Sequence, residues 1–140
     1  MTKISKTNSI EQVQKHLTSE CFNKLFIGGQ FVDPIDGQKM PTHYPATGEV
    51  FHELPKGNAN DIGSAIRAAE AAWSDGAWAN MPASARGDLV ARMAQGIEEN
   101  IEVLAAIEAA DVGKPFRQAA MVLGGAASEG KYWASLGAVL

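Results

Sequence analysis

The sequence predicts a mixed α/β chain in which a small strand-rich unit is followed by three α-helices. Between residues 25 and 54, short apolar runs alternate with turn residues, which is typical of strands. From Asn60 onward, apolar residues recur with a period of about 3.6, which is typical of amphipathic helices. Glycine and proline residues separate these segments and mark their ends.

The strand-rich unit begins with two short apolar runs on either side of Gly28-Gly29, a pattern that predicts a tight hairpin. Turn residues, an extended proline-containing segment and a further alternating strand follow. The predicted pieces are strands at residues 25–27 and 30–32, a turn at 33–37, an extended segment at 41–46 and a strand at 49–54. With so few strands, the unit is expected not to be stable alone.

The first helix is predicted from residue 61 to about residue 74, with Asn60 as its N-cap, because asparagine side chains accept hydrogen bonds from helix N–H groups. Its apolar face is expected to point toward a core. That face comprises Ile62, Ala65, Ile66, Ala69, Ala72 and Trp73.

The second helix is predicted over residues 86–110, after Pro82, which stands where a helix can start. It is expected to end at the run Asp111-Val112-Gly113-Lys114-Pro115, since proline cannot continue a helix and glycine suits its left-handed end. The third helix is predicted over residues 116–140. Its interior glycines either weaken it or let another backbone approach closely, and they are Gly124, Gly125 and Gly130.

The chain divides into a polar N-terminal arm at residues 1–24 and the remainder at residues 25–140. Ile10, Val13 and Leu17 have helical spacing, which predicts a short amphipathic helix within the arm. A frayed extension is the expected state of this arm, and an interaction arm is the alternative.

Composition excludes several classes of function. The net charge of -4 and the absence of a basic cluster argue against a nucleic-acid partner. No apolar run approaches the roughly 20 residues needed to cross a membrane. The first residues lack a signal-peptide core and contain Glu11 and Glu20, which argues against a mitochondrial leader, so the cytoplasm is expected. The single cysteine, Cys21, cannot form an internal disulfide.

The order of these landmarks resembles the N-terminal part of the NAD(P)-dependent aldehyde dehydrogenase superfamily. The landmarks are the strand unit at 25–32, the Pro45-Ala46-Thr47-Gly48-Glu49 turn, the alanine-rich helix after Asp61, Arg86-Gly87 before a long helix, and the Gly113-Lys114-Pro115 stop. Two features depart from the family pattern: Tyr44 stands where the family has asparagine, and the match after Pro115 is looser. Lys131-Tyr132-Trp133-Ala134 is nonetheless similar to an aromatic pair late in the family's third helix.

The resemblance implies an α/β fold of the aldehyde dehydrogenase type, of which residues 25–140 form an incomplete part of the cofactor-binding domain, without the Rossmann-like sheet. It implies oxidation of an aldehyde to a carboxylic acid with NAD or NADP, through a cysteine nucleophile and a glutamate base. In the family these groups and the cofactor loop lie beyond the matched segment. No catalytic or cofactor-binding residue is therefore assigned to this chain, and neither cofactor is expected to bind it alone.

The residues that could substitute for this machinery do not fit. Cys21 precedes the matched segment and lies in the polar arm. Gly113-Lys114 lacks the glycine and the hydroxyl residue of a phosphate-binding loop, because Glu108 and Pro115 occupy those positions. The carboxylates Glu98, Glu99 and Glu102 fall on the polar side of the second helix and are expected to face solvent.

One subsidiary site is implied by the resemblance. Some family members hold a monovalent cation with backbone carbonyls of the strand before the Pro-Ala-Thr-Gly turn and with the aspartate before Gly-Lys-Pro. In this chain the corresponding positions are Thr42, His43 and Asp111. The alternative role for Asp111 is structural, at the end of a helix.

Two main hypotheses follow. In the first, the chain is part of an oxidoreductase, inactive alone, that packs on the rest of the dehydrogenase chain or another subunit and helps to shape the entrance for an aldehyde. Uncovered apolar faces then predict poor solubility or oligomerisation. In the second, it is a non-enzymatic interaction module, or a relic, that binds a partner dehydrogenase chain. An unrelated helical domain is the third option, disfavoured by the ordered match.

Overall fold

The computed structural model describes the backbone from Ile10 to Gly137 and the side chains from Val13 to Gly137. This part of the chain contains short antiparallel hairpins followed by long helices. The elements are α1 (Ile10–His16), α2 (Glu20–Asn23), β1 (Leu25–Ile27), β2 (Gln30–Val32), β3 (Lys39–His43), β4 (Val50–Pro55), α3 (Ala59–Asp75), α4 (Ala83–Glu99), α5 (Ile101–Val112) and α6 (Phe116–Leu136).

The chain forms two compact units. The first contains the described residues up to Glu70 together with Ala110–Gly113, and the second contains Ala71–Ala109 and the described residues from Lys114 onward. The strand-rich region and the helices after it therefore match the predicted order of elements. None of the described helices is both long enough and apolar enough to cross a membrane.

The first hairpin confirms the prediction from Gly28-Gly29. Strands β1 and β2 are antiparallel, with Leu25 opposite Val32 and Ile27 opposite Gln30. Both turn glycines have positive φ, 61° at Gly28 and 79° at Gly29, a conformation that suits the twist of a two-residue hairpin.

The second hairpin contains an irregularity that the sequence does not reveal. Strands β3 and β4 pair with Thr42 opposite His52 and His43 opposite Val50, so the intervening Phe51 has no partner on β3. This is a β-bulge, in which one strand carries an extra residue. The carbonyl of Phe51 accepts a hydrogen bond from Gln14 Nε2 at 2.9 Å, so α1 contacts the hairpin at the bulge.

The N-terminal arm packs against the second hairpin where the structure describes it. Val13 and Leu17 are only 3% and 4% exposed, and Asn23 Nδ2 donates to Leu17 O at 2.7 Å. Helices α1 and α2 both contact β4. A frayed extension is thus the wrong expectation for this stretch, because Val13 of α1 and Leu17 just after it are buried. The side chain of Ile10, the third member of the predicted stripe, lies outside the described residues.

Helix α3 begins two residues earlier than predicted, and its N-cap is Asn58, not Asn60. Asn58 Oδ1 accepts hydrogen bonds from the N–H groups of Asn60 and Asp61, at 2.8 and 3.1 Å. Asp61 Oδ2 in turn accepts from the N–H of Asn58 at 2.9 Å. This reciprocal arrangement is a capping box, which satisfies more N–H groups than a lone cap at Asn60 would.

The inward face of α3 is not the one that the apolar pattern predicts. Asp61 is 3% exposed, and its Oδ1 accepts from Ile35 N at 3.2 Å, while a Cβ added to Gly28 would lie 3.7 Å from Ala68 Cβ. Helix α3 therefore faces the first unit with Asp61 and Ala68. Ile62 and Ile66, expected to be buried, are exposed.

The predicted second helix is two helices, separated at Asn100. The Asn100 side chain donates to Gly96 O at 2.8 Å, and its backbone N–H bonds to Ile97 O at 3.1 Å. The side-chain amide of Asn100 thus donates to the Gly96 carbonyl. In a continuous α-helix that carbonyl would accept from the backbone N–H of Asn100. Such competition from a short polar side chain is a general cause of helix breaks.

Within the second unit, α4 and α6 cross at small residues. A Cβ at Gly87 would lie 2.5 Å from Ala134 O, and a Cβ at Gly130 would lie 3.1 Å from Ala94 Cβ. Of the two roles predicted for the interior glycines, Gly130 therefore has that of permitting a close approach. Gly124 and Gly125 have no described atom within 4 Å of an added Cβ.

Candidate functional site

The structure brings together two of the three residues of the predicted cation site. Thr42 Oγ1, on β3, donates a hydrogen bond to Asp111 Oδ1 at 2.7 Å. Asp111 is the penultimate residue of α5, and Gly113 follows with φ of 72°. A Cβ on Gly113 would lie 3.3 Å from Pro45, so the end of α5 reaches both β3 and the turn after it.

The third residue, His43, lies beside Thr42 but forms no hydrogen bond or ion pair with Asp111 in the described part of the chain. The register of the hairpin shifts between Thr42 and His43, opposite the bulge that Phe51 forms on β4. On β4, opposite Thr42, His52 Nε2 is buried without a hydrogen-bond partner among the residues that the structure describes.

The electrostatics of the site centre on Asp111. A carboxylate in the last turn of a helix is disfavoured by the partial negative charge of that helix end. The hydroxyl of Thr42 offsets part of this cost by donating to one carboxylate oxygen. From the resemblance, only the backbone carbonyl of Thr42 was expected to contribute. Its side-chain contact could not be found from sequence, because the partner lies 69 residues away.

Whether these residues fit a monovalent cation depends on oxygen ligands. Carboxylate and carbonyl oxygens are the ligands that hard cations prefer. The residues that would hold the ion are Thr42 and His43 through carbonyl oxygens and Asp111 through its carboxylate. Among the described residues there is no group of three or more His, Cys, Asp or Glu that could hold a metal ion. A site here would therefore depend on backbone oxygens.

The other residues considered as substitutes for catalytic machinery have ordinary structural surroundings. Cys21 is exposed on α2, with Ser19 Oγ 2.9 Å from its Sγ. Glu98 accepts a 2.5 Å hydrogen bond from Lys131 Nζ, which links α4 to α6, so this carboxylate is paired as well as exposed. Gly113, with its positive φ, ends a helix as predicted.

The described residues do not fit a nicotinamide dinucleotide. Such cofactors bind where a parallel strand leads into a helix whose N-terminus meets the phosphates. The described strands form two separate two-stranded antiparallel sheets. Two shallow grooves of about 280 and 290 Å³ lie along α4 and α6.

Comparison with known sequences identifies relatives over most of the chain. A model described as the aldehyde dehydrogenase family matches residues 31–140. The mitochondrial benzaldehyde dehydrogenase of Antirrhinum majus is 40% identical over 114 residues, which cover 81% of this chain and 21% of that protein. The mitochondrial aldehyde dehydrogenase of Rattus norvegicus is 41% identical over 95 residues, covering 67% of this chain and 18% of that protein.

Solved structures have the same arrangement of elements. The betaine aldehyde dehydrogenase of Staphylococcus aureus, in complex with NAD+, superposes with a TM-score of 0.84 at 26% identity, covering 91% of this chain and 25% of that one. HpcC from Thermus thermophilus superposes with a TM-score of 0.81 at 30% identity, covering 90% and 24%. The chain thus spans only about a fifth to a quarter of the proteins that it matches.

Proposed function

The chain belongs to the aldehyde dehydrogenase family as an N-terminal segment, and we propose that it contributes to an enzyme that oxidises an aldehyde to a carboxylic acid with NAD+ or NADP+. The observation that supports this proposal most is the superposition of 91% of the chain on part of a dehydrogenase described in complex with NAD+. The cofactor belongs to the assembled enzyme, since the described residues do not fit it. When bound, the nicotinamide accepts a hydride from the substrate.

The role of this segment is structural. The hairpins and helices pack on the remaining part of the dehydrogenase, and the segment alone is inactive. What supports this proposal is the length of the match, since the chain covers 21% of the benzaldehyde dehydrogenase of Antirrhinum majus and 25% of the Staphylococcus aureus enzyme. The one cysteine of the chain, Cys21, is exposed on α2 with Ser19 Oγ 2.9 Å from its Sγ. The location that we propose is cytoplasmic, although several relatives are named as mitochondrial proteins.

Circular dichroism and size-exclusion chromatography on the purified 140-residue chain test whether the segment depends on further polypeptide. Exposed apolar side chains predict self-association or poor solubility of the chain. A compact monomer that unfolds cooperatively would contradict the proposal that the segment depends on further polypeptide.

The second candidate is a non-enzymatic module that binds a partner dehydrogenase chain. The exposed apolar residues support this candidate as much as the first one, because in both a partner polypeptide would cover them. The coding sequence beside this one separates the candidates. A neighbouring reading frame that encodes the cysteine and glutamate motifs would support the proposal that the chain is a segment of an enzyme. The absence of such a frame would favour the non-enzymatic module.

We also propose that Thr42, His43 and Asp111 contribute to a monovalent cation site. The contact between Thr42 and Asp111 supports it, since it brings the carboxylate to the strand whose carbonyls would complete the site. Thermal unfolding in potassium chloride is expected to occur at a higher temperature than in choline chloride of equal ionic strength. An equal difference between the salts in the Asp111→Asn variant would contradict the assignment.

A further inference from the structure

The N-terminal arm and strand β4 share a small apolar core. Val13 and Leu17 of the arm are 3% and 4% exposed, and Phe51 of β4 is 8% exposed. Among the described residues of the first compact unit, no other apolar side chain larger than alanine is buried. Helices α1 and α2 both contact β4. The second hairpin therefore takes much of its apolar packing from the arm, since burial of apolar surface is the main favourable term in folding.

One hydrogen bond of the arm reaches the backbone of β4 at the bulge. Gln14 Nε2 donates to Phe51 O at 2.9 Å. Phe51 has no partner on β3, and the register of the hairpin shifts opposite it, between Thr42 and His43. The Gln14 amide thus holds a carbonyl of the residue around which the register changes.

The bulge determines where two residues of the proposed cation site lie. A bulge redirects the side chains beside it, and a slip of one residue turns a side chain to the other face of its strand. Without the extra residue at Phe51, either Thr42 or His43 would take a different partner on β4. The 2.7 Å hydrogen bond from Thr42 Oγ1 to Asp111 Oδ1 requires the present placement.

We propose that Gln14 is a positioning residue for the monovalent cation site. Its amide holds the bulge at Phe51, and the bulge keeps Thr42 and His43 in place beside Asp111. Gln14, β3, β4 and Asp111 all belong to the first compact unit, so these contacts lie within one body. Gln14 precedes residues 31–140, which the family model matches. The cation part of this inference rests on the proposed function.

Thermal unfolding of the 140-residue chain in potassium chloride and in choline chloride of equal ionic strength tests this role. Gln14→Met keeps a long uncharged side chain of similar helix propensity and removes the donor. It is expected to lose most of the difference between the salts, as Asp111→Asn is. A purely structural role would lower the unfolding temperature equally in both salts. Thr18→Val is the matched control: it removes another donor of the arm, whose 2.9 Å bond ends within the arm at Lys15 O, and should keep the difference.

A double-mutant cycle of Gln14→Met with Thr42→Val tests the positioning without the cation. In choline chloride, Thr42→Val is expected to cost less unfolding free energy in the Gln14→Met background, because Thr42 is no longer held against Asp111. Additive effects in this cycle would overturn the inference, as would a difference between the salts in Gln14→Met equal to that of the unaltered chain. Coupling in the cycle without any difference between the salts in the unaltered chain would count against the proposed cation site alone.

Discussion

Thr42 donates its hydroxyl hydrogen to Asp111 Oδ1 at 2.7 Å and thereby joins β3 to the end of α5 across 69 residues of sequence. Thr42 is partly buried and Asp111 is exposed. The contact is therefore a modest one in free energy. Its importance is that it places the carboxylate beside the strand of the proposed cation site.

A double-mutant cycle tests this contact. Thr42→Val and Asp111→Asn are each expected to lower the free energy of unfolding, with a coupling of about 1 kcal/mol, because one hydrogen bond to a partly solvated carboxylate is lost. Denaturant unfolding of the two single variants and the double variant gives the coupling. Thr42→Ser, which keeps the hydroxyl, is expected to retain most of it; additive effects in the cycle would show that the contact does not stabilise the fold.

The capping box at the start of α3 predicts an order of effects at neighbouring positions. Asn58→Ala is expected to cost about 1 kcal/mol, the usual value of an N-cap. Asp61→Ala is expected to cost more, because it leaves the N–H groups of Ile35 and Asn58 without their acceptor. Chemical denaturation measures both, and Asn60→Ala is the control with a small expected effect. A larger loss of unfolding free energy in Asn60→Ala than in Asn58→Ala would show that Asn60 is the N-cap, as the sequence suggested.

The crossing of α4 and α6 predicts opposite effects for two glycine substitutions. Gly87→Ala places a methyl group 2.5 Å from Ala134 O and is expected to cost about 1–3 kcal/mol through overpacking. Gly125→Ala meets no described atom and is expected to stabilise the helix by about 0.5–1 kcal/mol. Thermal unfolding of the two variants side by side would show this difference. A Gly87→Ala protein as stable as the parent would mean that the helices do not approach this closely.

The turn before β3 predicts a shifted titration. Hydrogen bonds from the N–H of Gln38 and then from the Asn58 amide hold the pKa of Asp36 below its ordinary value of 3.8. A group with a lowered pKa in the folded state adds stability above its ordinary value, and that stability is lost as the pH falls through the lowered one. A carboxyl NMR titration is expected to place the midpoint below 3.8. In Asn58→Ala the midpoint is expected to rise, and an unchanged midpoint would exclude the amide as a cause.

Local patterns allowed much of the fold to be predicted from the sequence. The glycine pair of the first hairpin and the Gly-Lys-Pro helix stop act through neighbouring backbone, so their effects are visible in a few residues. The Asn58-x-x-Asp61 capping box is also recognisable in the sequence. Asn60 was preferred as the N-cap because it stands closer to the first apolar residue of the helix.

The features that could not be predicted depend on distant contacts. The Phe51 carbonyl at the bulge accepts a hydrogen bond from Gln14, and the Thr42 hydroxyl donates to Asp111, a side-chain contact that the resemblance did not imply. Neither pairing leaves a signal in spacing or composition. The apolar pattern of α3 was identified correctly, but periodicity does not tell whether the surface that covers a stripe lies within the same stretch of chain.

An assay of turnover decides whether this segment supports aldehyde oxidation only as part of a larger assembly. The purified 140-residue chain is mixed with benzaldehyde and either NAD+ or NADP+, and formation of the reduced nicotinamide is followed by its absorbance. A parallel sample contains the chain co-expressed with the part of Antirrhinum majus benzaldehyde dehydrogenase that follows the matched segment. We expect turnover in the assembled sample and none with the chain alone. Sustained turnover by the purified chain, free of other polypeptides, would contradict it.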